Sequence, residues 1–259
     1  MINKIYNENC LDTMSRMEDN FIDLTVTSPP YDNLRTYNGY SFDFESIAKE
    51  LYRVTKEGGV VVWIVSDATI KGSETGTSFK QALFFKECGF NLHDTMIWFK
   101  DACRFPDTVR YYDSFEYMFV LSKGKPKSIN QIADKKNKWG GTKVHGTNRM
   151  SDNSTKRLLG HNKKVVKEFG VRYNLWLQHN AGKKGNLHPA VFPEKLANDH
   201  IISWSNEGDL VYDCFMGSGT TAKMSIVNKR NYIGSEMSAE YCEIIKQRLN
   251  IQQKELFNN

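Results

Sequence analysis

Apolar and polar positions divide the chain into two kinds of segment. Mainly apolar runs at 21–26, 60–65, 92–99, 115–121 and 210–213 read as strands, and residues 4–6 add a shorter one. Between them the spacing turns helical. Apolar residues at 44, 47, 48, 51 and 54 share one face, with Gly58 and Gly59 as the stop. Residues 78–88 form a second helix, ended by Gly89, with 69–76 before it a loop. A third covers 194–204, with Pro193 at its first helical position. A glycine-rich turn after Asp213 leads into a helix reaching Asn228. Ser238 caps a closing helix whose Tyr241, Ile244, Ile245, Arg248 and Leu249 share a face, followed by a polar tail after Ile251 that is expected to fray. Continuously apolar strands separated by helices predict an α/β fold, a doubly wound, mostly parallel sheet covered on both faces. The strand carrying Asp213 belongs at its centre, with the strand carrying Thr27 beside it. The 115–121 strand is expected as an antiparallel edge.

At 259 residues, with 40% hydrophobic and 12% aromatic positions, the chain can bury one enzyme-sized core and still carry an insertion. No apolar run reaches membrane-spanning length, and the first residues lack a signal-peptide pattern, so a cytoplasmic protein is expected. Five cysteines with no C-x-x-C pair argue against a disulfide framework and against a zinc site, and no metal is expected. Charge alters this picture more than composition does. The net +5 conceals a span, 122–186, with 16 Lys and Arg against 3 acids, which leaves the remainder acidic. Trp139, His145, His161, Phe169, Tyr173 and Trp176 interleave with those cations, a mixture suited to phosphate contact and base stacking. A solvated insertion rich in Lys, Asn and Gly accounts for the same stretch without a partner.

Two loops carry candidate chemistry. T-S-P-P-Y, residues 27–31, leaves the 21–26 strand through two prolines, which fix φ and remove two backbone donors. Ser28 offers a hydroxyl, Pro29 and Pro30 rigid carbonyls, and Tyr31 an aromatic face. Together they suit a planar ring bearing an exocyclic amine; they equally suit a proline turn ending a strand. The second loop, C-F-M-G-S-G-T-T-A at 214–222, sets Gly217, Gly219 and Ala222 in a G-x-G-x-x-G/A pattern between a strand and a helix. Glu236 ends the following strand, where a carboxylate would hold a ribose diol. A nucleoside-containing cofactor accounts for these features, and a structural turn remains the alternative. Thr220 and Thr221 stand where a phosphate-binding P-loop needs Lys and Ser/Thr.

Together the motifs resemble those of the S-adenosylmethionine-dependent DNA amino-methyltransferases, in the β-group order. T-S-P-P-Y is similar to their catalytic motif. D-C-F-M-G-S-G-T-T, from Asp213, is similar to their cofactor loop, with Cys214 where proline is usual. L-H-P-A-V-F-P-E-K-L, 187–196, resembles the segment preceding that loop. The resemblance spans nearly the whole chain outside the middle. It implies S-adenosylmethionine as cofactor and double-stranded DNA as partner, in a monomer or homodimer. Residues 1–121 then form the catalytic half, 122–186 a basic target-recognition insertion and 187–259 the cofactor-binding half. It also implies Ser28, Pro29, Pro30 and Tyr31 as catalytic residues, and Asp213, Phe215, Gly217, Gly219, Thr220, Thr221 and Glu236 around the cofactor. Asn9 stands where the family places an acid beside the cofactor's adenine, and Cys10 would offer its backbone N–H. Lys195 would meet the cofactor's carboxylate. Tyr112 or Phe115 would stack on the flipped base, with Arg35 and Tyr37 in a loop over the site.

The implied reaction is direct methyl transfer to an exocyclic amine. Carbon-5 cytosine chemistry needs a cysteine nucleophile, commonly after proline, and the sequence has no Pro-Cys dipeptide. Ser28 as the first residue of the tetrapeptide leans toward cytosine N4, with adenine N6 the alternative. RNA or protein-amide methyltransferases, a nicotinamide-dependent oxidoreductase and an inactive DNA-binding protein are more distant readings.

Overall fold

The structure is a computed structural model and describes residues 1–30, 42–101, 108–178 and 193–257. In chain order the elements are β1 (Lys4–Tyr6), α1 (Cys10–Ser15), β2 (Ile22–Thr27), α2 (Phe44–Val54), β3 (Thr55–Val65), β4 (Thr69–Ile70), β5 (Ser73–Glu74), α3 (Thr77–Glu87), β6 (Asn91–Phe99) and β7 (Phe115–Ser122). Four short strands follow: β8 (Lys135–Lys136), β9 (Thr147–Arg149), β10 (Thr155–Arg157) and β11 (Phe169–Gly170). The chain continues through β12 (Leu175–Leu177), α4 (Glu194–Trp204), β13 (Leu210–Asp213), α5 (Thr220–Val227), β14 (Asn231–Ser235) and α6 (Ala239–Phe257). These elements form two compact units, 1–130 with 174–259, and Gln131–Tyr173.

The larger unit is built on an eight-stranded sheet in the order β1-β14-β13-β2-β3-β7-β6-β12. β13 lies inside it and pairs in parallel with β2, Val211 opposite Leu24 and Tyr212 opposite Thr25, as expected. Strand period two sorts the core. Val61, Trp63 and Val65 face the side covered by α1, α2 and α3, while Val60, Val62 and Ile64 face the residues of α4 and α5. α6 sets Ile245 and Leu249 against Met216, Ala222 and Tyr232.

Three expectations need correction. β7 is antiparallel but interior, lying between β3 and β6. Met118 and Val120 bury on one face and Phe119 and Leu121 on the other, so the strand needs cover on both faces and neighbours on both sides. The edge is instead β12, which buries only Trp176 of its three residues. α2 stops at Val54, before the glycines: Thr55 is already extended, and its hydroxyl donates to Leu51 O (2.6 Å). Gly58 (φ +76°) and Gly59 lie within β3, where its register against β2 shifts; a Cβ on Gly59 would meet Thr55 Cγ2 at 2.7 Å. Finally, α6 continues through the polar tail to Phe257.

An ionic cluster ties the amino end of the sheet together. Asp23, buried in β2, accepts from Lys56 Nζ (2.8 Å), Lys127 Nζ and Leu210 N (3.0 Å). Buried Lys123 donates to Asn20 Oδ1, Tyr52 O and Thr55 O. Asn130 N donates to Ser203 O (2.8 Å) at the end of α4. Residues 123–130 therefore belong to the sheet unit despite their charge. The separate basic unit, Gln131–Tyr173, is narrower than the span drawn from charge alone. Among the described residues no helix is long and apolar enough to cross a membrane.

Burial pushes the Asp23 carboxyl up, but the bonds from Lys127, Lys56 and the Leu210 N–H outweigh it and hold the group below its usual range. A carboxylate depressed in this way stabilises the fold fully above its unfolded value, and the contribution fades as pH falls through the folded one. Asp23→Asn is expected to cost about 2 kcal/mol at neutral pH. In chemical denaturation across pH, the gap between the two proteins should close below about pH 4.

Candidate active site

Both sequence motifs lie beyond the carboxyl ends of adjacent strands. β2 ends at Thr27, opposite Trp63 of β3, and continues as Ser28, half-buried, Pro29, buried, and Pro30. Tyr31 lies outside the described residues, as do Arg35, Tyr37 and the 187–192 segment. The buried Thr27 hydroxyl donates to Asp213 Oδ1 at 2.7 Å, across 186 residues of sequence. The same oxygen accepts Phe215 N (3.0 Å), and Thr221 Oγ1 donates to Val26 O (3.3 Å). Burial raises the Asp213 carboxyl above its usual range against hydrogen bonds from Thr27, Thr221 and the Phe215 N–H. With that carboxylate turned inward, Asp213 shapes the start of the glycine loop. Phe215 packs edge-on against Phe42 and Trp63, with centroids 5.7 and 6.2 Å away.

Gly217 and Gly219 take left-handed φ of +52° and +81°. A Cβ on Gly219 would also strike Ile245 Cγ2 at 2.9 Å, so this turn admits no side chain there. Glu236 follows β14, and both its carboxylate oxygens are engaged: Oε2 accepts Gly217 N and Oε1 accepts Ser238 N, each at 2.8 Å. Burial raises its carboxyl. Asn7 Nδ2 donates to the carbonyls of Glu236 and Met237 (both 2.9 Å), joining the turn after β1 to the same end of the sheet. Asn9 caps α1, its Oδ1 accepting Leu11 N (2.9 Å). That oxygen is thus already in use, while the amide N–H groups give the site donors that an aspartate would lack. Cys10 opens α1, buried, its thiol pushed up to about 12 by burial. Burial likewise raises the Cys214 thiol, so neither is poised as a thiolate nucleophile.

The remaining candidates separate. Thr220 and Thr221 open α5, both buried. Lys195 is largely exposed and pairs with Asp199 one turn along α4 (2.9 Å). Tyr112 and Phe115 are exposed, Phe115 packing edge-on with Tyr117. Glu116, the next residue, pairs with Lys100 (2.5 Å). Of the aromatics in the basic span, Trp176 is withdrawn from any binding role: it is buried, stacked on His200 at 4.6 Å.

Sequence reasoning passed over Arg248 as one position on a helix face. Its Nη1 donates to Ser218 O (2.9 Å), Ser218 Oγ (3.1 Å) and Thr220 Oγ1 (3.3 Å), and its Nη2 to Glu194 Oε1 (2.5 Å). Lys223 Nζ reaches the same Glu194 oxygen (2.9 Å). The only hint was a long cation sharing the apolar face of the last helix. Glu236 and Arg248 hold the glycine loop from outside, and the S-P-P turn follows the neighbouring strand. These residues suit S-adenosylmethionine: a turn that glycine's left-handed backbone makes between strand and helix, and a carboxylate after the next strand for its ribose.

A family described as DNA methylase, of the N6 and N4 type, matches residues 22–247. The chain belongs to this family. It is accordingly an S-adenosylmethionine-dependent DNA amino-methyltransferase. It is 63% identical over 234 residues to the orphan methyltransferase M.BamHII of Bacillus amyloliquefaciens, covering 88% of each chain. With the type II methyltransferase M.BglII of Bacillus subtilis it shares 27% over 267 residues, covering 96% of this chain and 69% of that one. Among solved structures, the cytosine-N4-specific PvuII DNA methyltransferase has the same fold, with a TM-score of 0.68 at 22% identity over 93% of this chain and 84% of that one. The M1.HpyAVI complex with S-adenosylmethionine gives 0.60 at 22%, over 95% and 98%.

If Arg248 holds the loop for this amino-methyltransferase, Arg248→Met should weaken S-adenosylmethionine binding about 10-fold, the worth of one charge-assisted hydrogen bond. Calorimetric titration should show this with duplex DNA affinity unchanged, and Arg248→Lys should recover part of the loss. An unaltered cofactor Kd in Arg248→Met would remove the role.

Proposed function

We propose that the protein is a site-specific methyltransferase of double-stranded DNA that modifies cytosine at N4. The observation carrying this reading is Ser28, a hydroxyl rather than a carboxylate or amide at the head of the proline turn, on the strand bonded to the cofactor loop through Thr27 and Asp213. Two names bear on it, the first on the base and the second on the setting. The PvuII enzyme is named cytosine-N4-specific, and the 63% relative is named an orphan methyltransferase, which suits a chain acting without a cognate restriction enzyme in the cytoplasm.

An aromatic exocyclic amine is a weak nucleophile because its lone pair is delocalised into the ring. Ser28 Oγ and the Pro29 carbonyl accept hydrogen bonds from its two N–H groups, turning the lone pair out of conjugation and holding it in line for attack. Pro29 and Pro30 keep those acceptors rigid, and Tyr31 stacks on the flipped base. The bound cofactor supplies an electrophilic methyl group on a sulfonium centre. Gly217, Gly219 and Thr220 would frame its seat, Glu236 would hold its ribose, Asn9 and Cys10 would border its adenine, and Lys195, on leaving Asp199, would meet its carboxylate. The amine's proton leaves to solvent, without a covalent enzyme intermediate. Adenine N6 is the second reading, favoured by the family's breadth, since the family covers both amines.

Unmethylated genomic DNA incubated with the protein and S-adenosylmethionine bearing a deuterated methyl, then digested to nucleosides, should yield labelled N4-methylcytosine by mass spectrometry. Labelled N6-methyladenine instead overturns the base assignment. Ser28→Ala should lower turnover about 100-fold, the worth of a group that acts chiefly in the transition state, with cofactor affinity within about twofold. Equal loss of both would count against its place at the amine.

A further inference from the structure

The smaller unit contains a two-stranded ribbon unlike anything in the sheet. β9 and β10 pair antiparallel, with Thr147 opposite Arg157, Asn148 opposite Lys156 and Arg149 opposite Thr155. All six residues are exposed. A lone hairpin is marginal in water, so its order has to come from its ends. At the tip, Asp152 Oδ1 accepts from Ser154 N (2.9 Å) and Ser154 Oγ (2.6 Å), Met150 N donates to Ser154 O (2.8 Å), and Asn153 adopts φ +65°. At the base, Leu158 N donates to Gly146 O (3.1 Å) and extends the ladder. The acid within 147–157 is thereby turned into its own loop, leaving Arg149, Lys156 and Arg157 as the ribbon's outward charge.

Residues opposite one another in an antiparallel pair share a face, and alternate residues along a strand return to it. Thr147, Arg149, Thr155 and Arg157 therefore occupy one face; Asn148 and Lys156 occupy the other. Arg149 and Arg157 are diagonal neighbours, about 7–8 Å apart. That is near two base-pair rises of about 3.4 Å. The major groove is about 12 Å wide, admits a two-stranded ribbon, and presents guanine O6 and N7 as paired acceptors matching a guanidinium fork. We propose that this ribbon is the base-reading element of the enzyme, Arg149 and Arg157 each taking a guanine of the recognised site in the major groove. The two threonines lie between the forks, and Lys156 on the reverse face is left for phosphate. The assignment rests on the proposed action on duplex DNA.

The methylated sequence is first mapped on genomic DNA with the wild-type protein. Duplexes are then made with each guanine of that site replaced in turn by 7-deazaguanine, which keeps O6 and lacks N7. Wild-type kcat/KM should fall about 10-fold or more at two of these guanines. Arg149→Ala and Arg157→Ala should each lose about 10- to 100-fold on the unmodified duplex while becoming indifferent to one of the two replacements. Their melting temperature and S-adenosylmethionine affinity should match the wild type. Variants as sensitive to 7-deazaguanine as the wild type, or as fast on the unmodified site, overturn the assignment. A loss uniform across all sequences with a shallower salt dependence also overturns it, since that marks phosphate contact alone. Wild-type protein that transfers no methyl to any duplex removes the duplex-DNA reading itself, and the ribbon assignment with it.

Discussion

The hydrogen bond from Thr27 to Asp213 joins the two halves of the site. Both residues are buried at the carboxyl ends of neighbouring parallel strands, and the bond spans 186 residues. Parallel strands cannot be joined by a tight turn, so the distance in sequence follows from the sheet itself. Between these two residues the chain completes one side of the sheet, makes the basic unit and returns. A buried carboxylate in this position needs donors, and it finds them in Thr27, Thr221 and the Phe215 N–H. The same contacts that satisfy Asp213 thus set the catalytic turn and the glycine loop beside each other, at the end of the sheet where such folds bind ligands.

The two ends of the sheet are held by different means. At the amino end, Asp23, Lys56, Lys127 and Lys123 pin strands and loop together by charge. At the carboxyl end the glycine loop is held from outside. Glu236 takes the Gly217 N–H, and Arg248 grips Ser218 and Thr220 while also bonded to Glu194 at the head of α4. Within the loop, Phe215 packs on Phe42 and Trp63 and Met216 packs against α6, while the two left-handed glycines contribute no side chain. Rigidity at the glycines therefore comes from neighbours.

Most of the sheet was legible in the sequence because continuously apolar strands announce burial on both faces. The two motifs were legible because prolines and glycines state their backbone geometry directly. What could not be read were pairings. Periodicity shows that β7 is buried but not which strands flank it, and a parallel β12 of three residues is too short to announce itself as the edge. Gly58 and Gly59 look like a helix stop because glycine marks bulges and stops alike. Trp176 resembles a member of the basic span until its stacking on His200 is seen. Arg248 and Thr27 were missed for one reason: their partners lie 28 or more residues away, and a side chain's partner leaves no trace in local spacing.

A double-mutant cycle on Thr27→Val and Asp213→Asn, read as kcat/KM for S-adenosylmethionine with DNA saturating, tests the central claim most directly. A shared hydrogen bond predicts that the double variant loses far less than the product of the single losses, with a coupling of about 1.5–3 kcal/mol. Losses that simply multiply would contradict the account, leaving two motifs that are neighbours in the sheet without acting as one site.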